Sequence, residues 1–520
     1  MAQPSLLILL AVAVSVLAGV SLTRVSNIPG PVLYVLAGLA VSYAPGMDAL
    51  RLPPQLVFYV FLPPLLYHAA FFTAPRETRS QAVPIATLAI GLVLATLFAV
   101  GWTMAAAIGT LGTGGAFVLG AVLGPTDPVA ATAVIRRVGA PERLQAILEG
   151  ESLVNDGVGL VAFSLAVSAA TAGHFSLGHG LVEFLRVAGG GVALGLVLGL
   201  IVERVRRRLH DVEIEILISL FTPYVAYVPA ERAHVSGVLA VVSCGVYLGW
   251  NSGGLFRPEV RLQSAAFWDV LEFLLTSVLF VLLGMQFPSV VGALGDYSPW
   301  SLLWWSLATV GIVTAVRMLW MFSVPYLLAG LPVARSWREV TPWRDRVVLG
   351  WSGMRGAVSL AAALSITPAI AHRQLILFLT FTTILGGLVL QAIPLPWLLR
   401  RLGIGVGDGM TRHEAEARLE VAEAALQRLD ELAGEDWVTE DIVEPVRSLY
   451  EQRVLRLEAQ AEPEENGNGR PRPGDYRRLQ RELIDAQRAR LDELGREGKA
   501  PTDLARRIER ELDLESARAR

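Results

Sequence analysis

The chain has 520 residues, 53% of them hydrophobic, with a mean hydropathy of +0.50, which excludes an ordinary soluble enzyme of this length. The single cysteine, Cys244, lies in an apolar run, so there is neither a disulfide framework nor a thiolate metal site. Charge divides the chain: residues 411–520 carry 27 acidic and 20 basic residues, a net of −7, whereas the first 410 residues carry a net of +4. The expectation is an all-α polytopic membrane domain over 1–402 and a polar, helical tail over 403–520.

The chain begins MAQPSLLILLAVAVSVLAGVS. This stretch lacks a basic n-region and runs into another apolar segment, so it reads as a retained first span rather than a signal peptide. Candidate spans follow at 4–22, 28–44, 54–73, 82–108, 113–135, 143–172, 181–203, 212–230, 234–250, 265–287, 298–330, 346–371 and 374–399, about thirteen transmembrane helices at roughly 20 residues each. Alternate loops hold 18 arginines, from Arg24 through Arg204, Arg206, Arg207 and Arg208 to Arg400 and Arg401, against 4 (Arg51, Arg186, Arg232 and Arg373) on the other side. The positive-inside rule then puts the N-terminus outside and the tail in the cytoplasm of a cell-membrane protein. An odd number of spans suggests six plus one plus six, two inverted six-helix repeats of the kind secondary transporters use.

Such repeats predict interrupted helices at matching positions, and two segments qualify. The fifth span holds LGPTDPVAAT (123–132) and the twelfth holds WSGMRGAVSLA (351–361). Pro125 and Pro128 remove backbone donors, and Gly353 and Gly356 loosen the matching place. Each broken segment carries one charge, Asp127 and Arg355. Asp127 suits the positive N-terminal end of a half-helix and Arg355 the negative C-terminal end.

Residues 151–157 read ESLVNDG, two acids in a span where a charge costs about 2.5–3.5 kcal/mol. Glu151 and Asn155 share one helix face, and Ser152 and Asp156 another. Glu151 needs a cation, and Arg355 is the expected partner. That leaves Asp156 with no permanent counter-ion, so either a proton or a small cation neutralises it. Ser152, Asn155 and the backbone near Thr126 supply neutral oxygens that suit a hard cation.

These motifs carry a resemblance. FLPPLLY (61–67), GPTDPVA (124–130), ESLVNDG (151–157), SGVLAVVSCGVYLG (236–249) and GMRGAVSLA (353–361) are similar in order and spacing to the monovalent cation/proton antiporters, in their sodium/proton exchanger branch. The resemblance spans most of the first 400 residues. It implies a homodimer whose core domain, spans four to six and eleven to thirteen, crosses the membrane like an elevator. It also implies an ion site at Asp156, Thr126 and Ser152 supported by Asn155, a Glu151–Arg355 pair, and electroneutral exchange. The transported ions would be Na+ (or Li+, K+) and H+, with Asp156 as ligand of the monovalent cation. One departure stands at His68, where many relatives carry an acid; its imidazole is a candidate modulator.

The remaining charges have plainer readings. Glu231 and Arg232 suit a snorkelling pair, and Asp269, Glu272 and Arg317 suit contacts between helices, with Arg317 a candidate for a structural ion pair. Trp304, Trp305 and Trp320 suit interfacial anchoring or packing. The tail predicts helices near 411–432, 437–460, 475–495 and 501–516 around a linker at 462–475, with Ala422, Leu426 and Leu429 on one stripe. No cofactor and no nucleic-acid partner are expected. A potassium/proton antiporter on the same scaffold is the alternative within the class. A cation channel lacks a repeated filter-like loop, and an intramembrane aspartyl protease lacks its YD and GxGD signatures.

Overall fold

A computed structural model describes residues 3–404 apart from 27, 44–53, 74–80, 173–176, 210, 253–257, 296 and 328–341. In the tail it describes 412–433, 438–461 and a few positions of 483–491. The predicted linker at 462–475, the helix at 501–516, most of that at 475–495, and the loops holding Arg76, Arg79, Arg335 and Arg338 lie outside the described residues. The chain forms two compact units, residues 1–406 and 407–520, and no strand occurs among the described residues.

The first unit is a helical bundle. Its helices are α1 (Gln3–Val25), α2 (Gly30–Ser42), α3 (Val57–Phe72), α4 (Ala82–Ala107), α5 (Gly112–Val122), α6 (Val129–Val138), α7 (Glu142–Ala172), α8 (Leu177–Arg206), α9 (Val212–Arg232), α10 (Gly237–Trp250), α11 (Pro258–Gly292), α12 (Pro299–Leu327), α13 (Trp343–Trp351), α14 (Ala357–Leu364) and α15 (Arg373–Arg401). Seven of the described helices are long and apolar enough to cross a membrane. On α8 and α12 many apolar side chains point away from the protein. Leu196, Leu200 and Ile201, and Leu303, Trp304 and Leu307, are all exposed. A hydrocarbon surround suits helices with that many outward apolar residues.

Local sequence accounts for the irregular turns in α3 and α15. In α3 the turn Val57–Phe61 widens to a π-helix just before Pro63 and Pro64, and in α15 Gly387–Ala392 does so just before Pro394. Proline has no N–H for the carbonyl four residues back and its ring crowds that carbonyl; the wider turn makes room. Glycine allows the closest helix contact: a Cβ on Gly38 would meet the Val281 carbonyl oxygen at 2.0 Å, and one on Gly284 that of Val35 at 2.1 Å. Thus α2 and α11 meet backbone to backbone in both directions.

The helix ends depart from the sequence reading in one place. Glu231 does not pair with Arg232; its Oε1 accepts the Gly237 N–H at 3.1 Å, while Ser236 Oγ accepts from Leu239 N–H at 3.2 Å. An orphan N–H at the start of a helix is a nearer and less hydrated partner than a neighbouring exposed arginine. Cys244 is fully buried in the α10 packing face.

The second unit contains α16 (Arg412–Leu432) and α17 (Glu440–Ala461), packed against each other. Ala422 and Val443 are buried, and Arg447 reaches Asp430 at 2.5 Å.

Candidate functional site

The site forms where the two interrupted segments meet. After α5 the chain is non-helical over 123–128, and after α13 over 352–356. The two breaks are stitched together: Asp127 N–H donates to the Met354 carbonyl at 2.8 Å. The Asp127 carboxylate accepts from Val129 N–H at 3.0 Å through Oδ1 and from Ala357 N–H at 3.4 Å through Oδ2. One carboxylate therefore caps the first turns of both α6 and α14, where orphan donors and the helix dipole favour negative charge. Gly356 lets it approach, since a Cβ there would lie 1.7 Å from Asp127 Oδ2. Gly356→Ala is accordingly expected to destabilise the protein by at least the roughly 1–3 kcal/mol of an overpacked core. A lower melting temperature of the purified variant checks this; an unchanged one would remove the tight junction.

The opposite ends are met by arginines. Arg355 Nε donates to the Leu123 carbonyl at 3.0 Å, at the end of α5, and its Nη1 donates to the Gly353 carbonyl. Arg317, from the middle of α12, donates through Nε to the Leu349 carbonyl at 2.8 Å, at the end of α13. The rest of its planar fork holds Glu151, with Nη1 on Oε1 and Nη2 on Oε2 at 2.7 Å. Both side chains are 1% exposed.

This corrects the expected Glu151–Arg355 pair. Arg355 is directed at the carbonyls that the breaks leave without helical donors, whereas Arg317 presents two parallel N–H groups to both carboxylate oxygens. That bidentate geometry is the strongest a buried carboxylate can find.

On α7, Glu151 also accepts from Thr126 Oγ1 at 2.8 Å, and Asn155 Nδ2 donates to Thr126 Oγ1 at 2.7 Å and, at 3.4 Å, to its carbonyl. Thr126 in the break thus ties two residues of α7. The helix comes this close because Gly159 has no side chain: a Cβ there would sit 2.1 Å from Pro125. Asn155 Oδ1 is buried and receives no hydrogen bond among the described residues. Asp156, 7% exposed, has no hydrogen-bond or ion-pair partner among the described residues. The charges acting on it are those of Asp127 and Glu151, both acidic. Ser152 lies one turn before Asp156 on the same face, half-buried.

The arrangement has the form of a transporter centre: a buried carboxylate with no fixed counter-ion, beside two interrupted helices held by capping charges. Comparison with known proteins decides the class. The transmembrane sodium/hydrogen exchanger family matches residues 10–401. The chain belongs to the sodium/hydrogen exchanger family. A Mycobacterium tuberculosis protein named as an uncharacterized Na+/H+ exchanger is 32% identical, covering 98% of this chain and 95% of its own. The sodium, potassium, lithium and rubidium/H+ antiporter of Bacillus subtilis is 35% identical over 71% of this chain and 58% of its own. In structure, the sodium/proton antiporter MjNhaP1 of Methanocaldococcus jannaschii superposes with a TM-score of 0.60, covering 76% of this chain and 97% of that one, at 21% identity; that likeness shows the fold. The family is one of membrane transporters that exchange cations for protons, not of enzymes.

In this exchanger the sequence-predicted residues Glu151, Asn155 and Thr126 are hydrogen-bonded together, Asp127 and Arg355 bind the backbone of the same two breaks, and Asp156 and Ser152 lie on the adjoining turns of α7. His68 stands apart from them. Its ring lies on Trp268, with Nδ1 3.3 Å from Glu272 Oε2 and Nε2 4.0 Å from Asp269 Oδ1. Arg317 forms the structural ion pair for which the sequence made it a candidate, with a partner, Glu151, that the sequence did not name. Its one signal in sequence is that it is the lone charge in the 29 residues of α12.

Proposed function

We propose that this exchanger carries one Na+ against one H+ per cycle, both at Asp156. The supporting observation is the burial of Asp156 without a cation of its own, while Glu151 is held by Arg317 and Asp127 by two helix ends. One carboxylate then has one charge to neutralise, and a proton and a monovalent cation compete for it. Asn155 Oδ1, Ser152 Oγ and the Thr126 carbonyl complete an oxygen shell suited to a hard ion, Na+ or Li+. Glu151, Asp127, Arg317 and Arg355 are positioning charges, and His68, with Asp269 and Glu272, is a modulator away from the exchanged ion. The frame of the reading is a thirteen-span inverted repeat in the cell membrane, N-terminus outside and tail in the cytoplasm. Two copies form a homodimer, and the core moves past a fixed scaffold to alternate access. A K+/H+ antiporter is the second reading, favoured by the cation range in the name of the Bacillus subtilis relative.

One-for-one exchange moves no net charge. A pH difference of one unit, about 1.36 kcal/mol, is then expected to balance a tenfold cation gradient at any membrane voltage. A second proton per cycle would shift the balance by about 2.3 kcal/mol per 100 mV. The measurement is the reversal condition in proteoliposomes, with voltage set by a potassium gradient and valinomycin while Na+ is transported. A balance point that follows voltage would overturn the electroneutral reading. Exchange driven by K+ in place of Na+, under a different voltage clamp, would favour the second.

A further inference from the structure

Two consecutive glycines let α15 lie close against two other elements. A Cβ on Gly386 would meet the Val310 side chain of α12 at 2.8 Å. One on Gly387 would lie 3.5 Å from Met354 Cα and 3.7 Å from the Arg355 amide nitrogen, both in the second break. The same point is 3.5 Å from Oε1 of Gln391, which is 4% exposed and sits in the wide turn Gly387–Ala392.

Gln391 bonds both neighbours. Its backbone carbonyl accepts the Trp351 indole N–H at 3.0 Å, at the end of α13. Its amide Nε2 donates to Thr314 Oγ1 of α12 at 2.8 Å. Thr314 gives its own proton to the Val310 carbonyl at 2.8 Å, so its oxygen is left to accept, and the amide nitrogen is the end of Gln391 that fits it. Gln391 Oε1 has no hydrogen bond among the described residues, so the bond to Thr314 alone fixes how the amide is turned.

These two bonds fall on the two elements that orient Arg317. Thr314 lies one turn before Arg317 on α12. Trp351 lies two residues after Leu349, whose carbonyl holds Arg317 Nε. One residue of α15 therefore clamps both the helix that carries the guanidinium and the helix end that receives it. The rest of the Arg317 fork lies on both oxygens of Glu151, and Glu151 Oε1 accepts the Thr126 hydroxyl.

We propose that Gln391 is a positioning residue for cation binding. It sets Arg317 on Glu151, and Glu151 in turn sets the Thr126 oxygens beside Asp156. This role rests on the reading that the cation binds at Asp156 with Thr126 in its shell. Gln391 touches neither transported ion; it holds α12 in register with the second break. Without the Gln391–Thr314 bond, α12 can shift on α15 enough to turn a two-point Arg317–Glu151 contact into a one-point contact. Thr126 follows Glu151, and the shell around the cation loosens. Asp156 has no bond to this chain of contacts and keeps its proton chemistry. The signature is weaker cation binding at an undiminished maximal rate.

The test is Na+-driven exchange in proteoliposomes, read as KM for Na+ and maximal rate, with the melting temperature of the same preparations. Gln391→Met keeps the length of the side chain and removes its amide. It is expected to raise KM about tenfold, the effect of losing a group that orients an ion's ligands, and to leave the maximal rate close to that of the wild type. Thr314→Val removes the acceptor without touching α15 and is expected to raise KM to the same extent; Thr314→Ser keeps the hydroxyl and is expected to retain the wild-type KM. Gln391→Met with Thr314→Val should be no worse than either alone, since both cut the same bond. If Gln391→Met does not fold, the two Thr314 variants decide. A wild-type KM in Gln391→Met or Thr314→Val would overturn the proposal. A lower maximal rate or melting temperature with KM unchanged would equally overturn it, as the mark of a residue that only packs. Asp156→Asn is measured beside them. If it is silent, a wild-type KM in Gln391→Met strikes the role of Gln391 alone; if it still exchanges, the ion site is misassigned and the role of Gln391 falls with it.

Discussion

Asp156→Asn is expected to abolish cation/proton exchange and to leave the protein folded. Asparagine keeps the shape of the side chain and its hydrogen-bonding reach but can neither bind a proton nor neutralise a cation. Because Asp156 has no hydrogen-bond or ion-pair partner among the described residues, the substitution breaks no contact. It also removes a charge that burial disfavours, so the melting temperature should be equal to that of the wild type or higher. Exchange is read in proteoliposomes as Na+-dependent alkalinisation of an acid-loaded lumen. A melting curve at or above the wild-type midpoint together with loss of flux fits the central role. Substantial Na+-dependent proton flux in the folded variant would exclude it.

The second large effect concerns the Glu151–Arg317 pair, which spans α7 and α12 at 1% exposure on both sides. Neutralising one partner leaves a bare charge in a dry interior, at a cost of about 3–5 kcal/mol. Glu151→Gln and Arg317→Met are each expected to lower folded yield and melting temperature sharply. Glu151→Gln with Arg317→Met should recover part of the loss, since no charge is then stranded. Glu151→Gln with Arg355→Gln should not, because Arg355 serves the carbonyls of Leu123 and Gly353 rather than the carboxylate. Recovery by the Arg355 combination and not by the Arg317 one would reverse the assignment.

These two arginines also mark where the sequence stops being legible. The interruptions at 123–128 and 352–356 are readable because proline and glycine act on their own backbone, and the membrane bundle is readable because hydropathy is a local property. Partner choice is neither. Arg317 lies 166 positions from Glu151, and both it and Arg355 are single charges in apolar surroundings. Nothing in either neighbourhood says which guanidinium will face two carboxylate oxygens and which will face carbonyls. His68 is a similar case: its polarity is visible, but Asp269 and Glu272 reach it from a helix some 200 positions away. Glu231 failed differently, because the competing partner was a backbone N–H six residues on, and backbone donors leave no trace in a charge pattern.

The double cap at Asp127 bears on how the molecule can move. The Asp127 carboxylate belongs at once to α6 and to α14, and its amide belongs to Met354, so the two interruptions share a single fastening. Neither segment can slide against the other without uncovering two helix starts. A spin label on α6 and another on α14 should therefore keep a fixed separation through the whole transport cycle, and the distances that change should all run from this junction to helices elsewhere in the bundle.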